Sequence, residues 1–190
     1  MAALEEPDLQ DLNRGSRCTV TQKVAPASYD GHAAEAARTS EVQGGAKEKG
    51  VTIMPSTITY ETVVPIKHDA DVLIAYQKGR TLAAQLGLSS DDQTVVVIAI
   101  LEVARNIIRY AEAGEIVLST IKRSGEEGIA VVARDAGPGI PDVGRALKDG
   151  YSTGGGLGLG LPGARRLMDE FEIVSEVGKG TTIEMRKWKR

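Results

Sequence analysis

Ile129-Ala-Val-Val-Ala-Arg-Asp-Ala-Gly-Pro-Gly-Ile-Pro141 is the stretch from which the rest of the chain can be ordered. Its first five residues are an unbroken apolar run of strand length, rich in β-branched side chains. The run delivers Asp135 at its end, and two glycines and two prolines then break any regular element. A fixed carboxylate beside backbone that can approach a ligand closely is what a nucleotide pocket needs. A second glycine cluster, Gly154-Gly-Gly-Leu-Gly-Leu-Gly160, follows shortly after.

Upstream, Glu115 to Lys122 reads as a strand that joins Gly128 to Arg134 in a hairpin through Ser124-Gly-Glu-Glu-Gly128. Before it, Ser90-Asp-Asp-Gln93 has the spacing of a capping box, with acids where the helix dipole favours them. A helix is therefore expected from Asp91 to about Tyr110, because its length outweighs the strand-like apolarity of Val95 to Leu101. Glu102 and Asn106 share a face of that helix, four residues apart. Their turns are almost wholly apolar, so a charge there is hard to explain as ordinary surface. Asp69 or Asp71 caps an earlier helix running to about Leu86, and Ser56 to Ile66 alternates as a half-buried edge strand.

Downstream, Asp142 to Lys148 is expected as a short helix and Pro162 to Phe171 as a firmer one. Gly150 to Gly160 forms a loop between them. Glu172 to Glu176 and Thr181 to Lys187 are strands around the turn Val177-Gly-Lys-Gly180. The order of elements predicts an α+β fold, a two-layer sandwich of one mixed, mainly antiparallel sheet covered by helices. Residues 1–52 are low in complexity without a sustained period and are expected to form a mostly disordered leader, leaving 53–190 as the domain.

Composition narrows the function. The 190 residues carry a formal charge of −3, which argues against nucleic acid as the main partner. The basic tip Arg186-Lys-Trp-Lys-Arg190 reads as a solvated strand end. No apolar run approaches the ~20 residues of a membrane helix, and the N-terminus has no export signal, so a cytoplasmic location is expected. Cys18 is the single cysteine, which excludes a disulfide or a cysteine-based zinc site within one chain. A P-loop is absent. Gly158-Leu-Gly-Leu-Pro-Gly163 fits the dinucleotide pattern in letters only, because no strand precedes it.

The ordered set of Glu102 and Asn106, Asp135-x-Gly137-x-Gly139, Gly154 to Gly160 and Gly178-x-Gly-Thr181 resembles the GHKL superfamily of ATP-binding proteins, whose domain is the Bergerat fold. The wording of Glu102 to Ala111, Asp135 to Pro141 and Gly150 to Phe171 is similar to the switch kinases of the bacterial stressosome and to anti-sigma-factor kinases, over about residues 56–189. The span from Ile140 to Gly154 is too short for the long lid of gyrase-type enzymes. No helix bears a phospho-accepting histidine.

The resemblance implies a Mg-ATP-dependent protein serine/threonine kinase acting on STAS-domain partners in a stress-signalling, partner-switching module. A PP2C-like phosphatase or a sigma factor would be a further partner. The alternative is a nucleotide-gated anti-sigma factor or binding protein with little kinase activity. By the same resemblance Asp135 and Thr181 would meet the adenine, and Gly137 and Gly139 would let backbone approach base and ribose. Asn106 would hold Mg²⁺ and Glu102 would orient or deprotonate the attacking hydroxyl. Gly154, Gly155, Gly156, Leu157, Gly158, Leu159 and Gly160 would close over the triphosphate. Arg105 and Lys148 are further candidates for phosphate contact. Gly154 departs from the small hydroxyl residue expected at its position, and Leu159 from the usual alanine.

Overall fold

A computed structural model describes residues 17–23, 57–148 and 160–190. The elements run β1 (Arg17–Lys23), β2 (Thr57–Ile66), α1 (Asp69–Gln85), α2 (Ser90–Asn106), a π-helical turn (Ile107–Ala111), β3 (Gly114–Arg123), β4 (Glu126–Asp135), α3 (Val143–Ala146), α4 (Gly160–Leu167), β5 (Glu170–Glu176) and β6 (Gly180–Trp188). The strands form one six-stranded sheet in the order β1-β5-β6-β4-β3-β2. Every neighbouring pair is antiparallel except β1 with β5. This is the expected mixed, mainly antiparallel sheet covered by helices.

The core lies between one sheet face and the helices. Period-2 alternation places Ile116, Leu118, Ile129, Val131, Phe171, Ile173, Ile183 and Met185 on that face, and all are buried. Val96, Ala99, Ile100 and Val103 of α2 meet them from above, at 0 or 1% exposure. A buried side chain of this size contributes about 1.5–3 kcal/mol by leaving water, so this seam is the main source of stability. Helix α2 also packs on α1 and α4, which makes it the central pillar of the helical layer.

Several expectations need correction. A strand, β1, lies inside the expected leader, where Cys18-Thr-Val-Thr21 carries β-branched residues; it adds to the sheet beside β5. The rest of residues 1–52 falls outside the described residues. The cap of α2 is Ser89, not Ser90: its Oγ accepts from the Asp92 amide at 3.1 Å. The cap of α1 is His68, and Asp71 reaches back to accept from the Lys67 and His68 amides at 2.9 Å. These two bonds hold the Asp71 carboxyl below its ordinary range.

The hairpin between β3 and β4 is tighter than expected. Its two turn residues, Ser124 and Gly125, have φ of 53° and 87°, both positive as in the primed turns that match strand twist. Phe171 belongs to β5 and not to the helix before it, because its phase with Ile173 and Ser175 points all three into the core.

The basic C-terminal tip is not a solvated end. Lys187 is 6% exposed and bridges Asp92 and Asp169 at 3.2 Å each, tying the start of α2 to β6. On the opposite sheet face, Glu170 takes hydrogen bonds from Arg123, Arg186 and the Trp188 indole. The Arg123 guanidinium also stacks 4.2 Å above the Trp188 ring. Burial works to raise the Glu170 pKa, but the arginine hydrogen bonds outweigh it and lower it to about 2.

Candidate functional site

Helix α2 and the ends of β4 and β6 bring the expected residues toward one place. Glu102 faces inward on α2 at 6% exposure, and its Oε1 is buried with no hydrogen-bond partner among the described residues. Burying a carboxylate oxygen without a partner costs several kcal/mol, so structures keep such groups where a ligand or a reaction uses them. Asn106 follows one turn later, half-buried. Arg105 and Lys148 are exposed.

Immediately after Asn106 the helix widens into the π turn Ile107–Ala111, ended by Glu112 at φ 64°. Such turns are frequent at functional sites. Here the turn sets Ala111 against Gly137: a Cβ on Gly137 would lie 2.5 Å from the Ala111 Cβ. The chain then enters β3 at Gly114, whose register partner is Asp135. The helix end that carries Asn106 is therefore in contact with the turn that carries Asp135.

Asp135 is held by two backbone donors. Its Oδ1 accepts from the Gly137 amide at 2.9 Å and from the Thr181 amide at 3.2 Å. The first closes an Asx turn. The second links that turn to the one between β5 and β6. The other carboxylate oxygen has no hydrogen bond to the described residues.

The two turns interlock. The Gly178 amide donates to the Pro138 carbonyl at 2.9 Å. Gly139, at φ 70°, leaves no room for a side chain, since a Cβ would strike the Glu176 carbonyl. Gly180, at φ 107°, approaches so closely that a Cβ would strike the Asp135 carbonyl oxygen. Thr181 is buried at 8% exposure beside them.

Gly160 opens α4 with φ 50°, and the buried Leu161, Pro162, Gly163 and Ala164 seat that helix in the core against α2. Gly154, Gly155, Gly156, Leu157, Gly158 and Leu159 lie outside the described residues. Among the described residues no group of three or more His, Cys, Asp or Glu side chains is arranged to hold a metal. No helix among the described residues is long and apolar enough to cross a membrane.

Two features escaped the sequence reading. The π turn has no local signature, because Ile107-Ile-Arg-Tyr-Ala111 is ordinary helical wording. Ser175 had one: in Phe171-Glu-Ile-Val-Ser175 it falls on the buried phase, where a polar residue needs a reason.

Comparison with known proteins by sequence gives the family. The model of the histidine kinase-like ATPase domain matches residues 71–187, from α1 through β6. The serine/threonine-protein kinase RsbT of Bacillus subtilis (strain 168) is 45% identical over 130 residues, covering 68% of this chain and 98% of that protein. The anti-sigma F factor of Geobacillus stearothermophilus is 32% identical over 111 residues, covering 55% of this chain and 75% of that protein. Its counterpart in Thermoanaerobacter sp. (strain X514) is 32% identical over 111 residues, or 56% of this chain and 77% of that protein. The matched span holds Glu102, Asn106, Asp135 and Thr181 and implies an ATP-binding domain: the chain belongs to the histidine kinase-like ATPase family.

Proposed function

We propose that this chain is a protein serine/threonine kinase that transfers the terminal phosphoryl group of ATP to STAS-domain partners in a stress-signalling, partner-switching module. It would work in the cytoplasm, with a PP2C-like phosphatase as a second partner. The observation that carries the reading is the buried Glu102 Oε1, without a hydrogen-bond partner among the described residues, four residues before Asn106 on α2. The similarity to a serine/threonine-protein kinase supports it. The catalytic domain in this reading is residues 53–190, with β1 added at the edge of its sheet.

Asp135 accepts from the adenine amino group with Thr181 beside it, while Gly137 and Gly139 leave space for base and ribose. Asn106 would hold Mg²⁺, and the ion would supply charge neutralisation at the phosphates. Gly154 to Gly160 would supply backbone contacts to the triphosphate, with the first amides of α4 available to its negative charge. Glu102 takes the proton of the attacking serine or threonine hydroxyl. The new bond forms between that oxygen and the terminal phosphorus, the bond to the bridging oxygen breaks, and ADP leaves. Positioning and charge neutralisation carry most of the catalysis in such transfers, so few side chains suffice.

Incubation with Mg²⁺ and ATP labelled at the terminal phosphate, together with STAS proteins encoded nearby, should label a serine or threonine on one of them. Absence of label on every such partner removes the kinase reading. The similarity to anti-sigma F factors favours a second reading, a nucleotide-gated binder with little transfer activity. It predicts ATP-dependent capture of a sigma factor without labelling.

A further inference from the structure

The Ser175 hydroxyl sits at the junction of the two interlocked turns. It is 1% exposed and lies on the core phase of β5, after Phe171 and Ile173. An apolar residue of similar size would fill that position equally well. What distinguishes serine is its bonding: Oγ accepts from the Ile140 amide at 2.8 Å, lies 3.2 Å from the Gly180 carbonyl as donor, and is 2.9 Å from the Thr181 Oγ1. One side chain thus touches the segment after Asp135 and both residues at the start of β6.

The proton count gives this arrangement a chemical consequence. A hydroxyl has one proton to give and lone pairs to accept. If Ser175 donates to Gly180, Thr181 can donate to Ser175 and presents lone pairs to a ligand. If Ser175 donates to Thr181, the Thr181 proton is free for a ligand acceptor. Without Ser175, neither the Thr181 hydroxyl nor the Ile140 amide has that partner, and the separation of the two turns loses a tie.

We propose that Ser175 is a positioning residue for base recognition, holding the Asp135 and Thr181 turns at the separation and hydroxyl orientation that read a 6-aminopurine. This rests on the reading of the site as an adenine pocket. A merely structural serine would affect every nucleotide alike. A positioning serine should affect chiefly the nucleotide whose 6-position is read.

The test compares the affinities of the full chain for ATP and for its 6-oxo counterpart ITP, by competition against a fluorescent nucleotide. The wild-type protein should prefer ATP. In Ser175→Ala, ATP affinity should fall about tenfold, the effect of losing a well-placed hydrogen bond, with ITP affinity changed less than about twofold. Ser175→Thr, which keeps the hydroxyl, should retain the preference. Should Ser175→Ala fail to fold by circular dichroism, Ser175→Cys carries the same comparison, because a thiol is near in size and a weak hydrogen-bonding group. A preserved ATP-to-ITP ratio, with both affinities lowered together, overturns the proposal while leaving the adenine pocket intact. A wild-type protein that does not prefer ATP over ITP removes the adenine reading itself, and this proposal with it.

Discussion

Replacing Gly180 by alanine tests the interlock of the two turns more sharply than any other single change. Gly180 sits at φ 107°, where an L side chain is strained, and its Cβ would strike the Asp135 carbonyl oxygen and lie 2.8 Å from the Ala136 Cα. All the obstructing atoms are backbone, so no rotamer change relieves the contact. Conformational strain costs about 1–2 kcal/mol and forced overpacking about 1–3 kcal/mol. Together they make about 2–5 kcal/mol, a large part of an ordinary domain's stability of about 5–15 kcal/mol. Gly178 supplies the control. It also has positive φ, 79°, but nothing lies within 4 Å of its Cβ. Gly178→Ala should therefore cost only the strain, about 1–2 kcal/mol. Urea unfolding of the two variants should differ by about 1–3 kcal/mol, and a domain of this size should show it as a Tm gap of at least about 3 °C. ATP affinity should fall further in Gly180→Ala, since Asp135 and Thr181 are pushed apart. Equal losses in the two variants would refute the close approach of β6 to the Asp135 turn.

Other consequences follow from the charges. The Glu170 carboxyl is lowered from 4.5 to about 2 in the folded chain, so its contribution is complete above pH 4.5 and is lost as pH falls through about 2. After allowance for solvent screening this amounts to about 1–2 kcal/mol, and urea titrations of wild type and Glu170→Gln should converge as the pH drops from 5 toward 2. A gap that stays constant over that range would contradict the assignment. Lys187→Met should cost about 2–3 kcal/mol by leaving Asp92 and Asp169 without their shared cation. Calorimetry should register that loss with ATP affinity unchanged. Asp135→Asn should weaken ATP at least about tenfold with little change in Tm, because an amide loses charge assistance and can present a donor to the adenine amino group. Unchanged ATP affinity, measured by isothermal titration, would mean that the base binds elsewhere.

The sequence carried most of this fold because its strong signals were local ones. The apolar phase of β4 and the hairpin turn follow from a few neighbouring residues and placed the strands β2 to β6 to within one or two positions, whereas α4 ends at Leu167, four residues before the expected Phe171. What failed depended on distant partners. Lys187 and Trp188 look like a solvated tip until Asp92, Asp169, Glu170 and Arg123 are brought beside them by the sheet. Cys18-Thr-Val-Thr21 has strand-forming residues, yet only the free edge of β5 makes a strand of it. For the candidate site, residue type and spacing singled out Glu102, Asn106 and Asp135, and the family resemblance added Thr181; their roles remain proposals. The π turn could not be picked out, since its meaning lies in the contact of the Asp135 turn with Ala111, and Ser175 left only the sign of a polar residue on a buried phase until its bond to the Ile140 amide is seen.

The central claim is that Glu102 serves the transfer step and not nucleotide binding. The most direct measurement is single-turnover phosphoryl transfer from labelled ATP to a STAS partner by wild type and Glu102→Ala, with ATP affinity measured on the same preparations. Loss of a general base should slow transfer by about 10²–10⁴-fold while ATP affinity stays within about threefold of wild type. Transfer by Glu102→Ala at a rate close to wild type, with ATP still bound, would contradict the assignment.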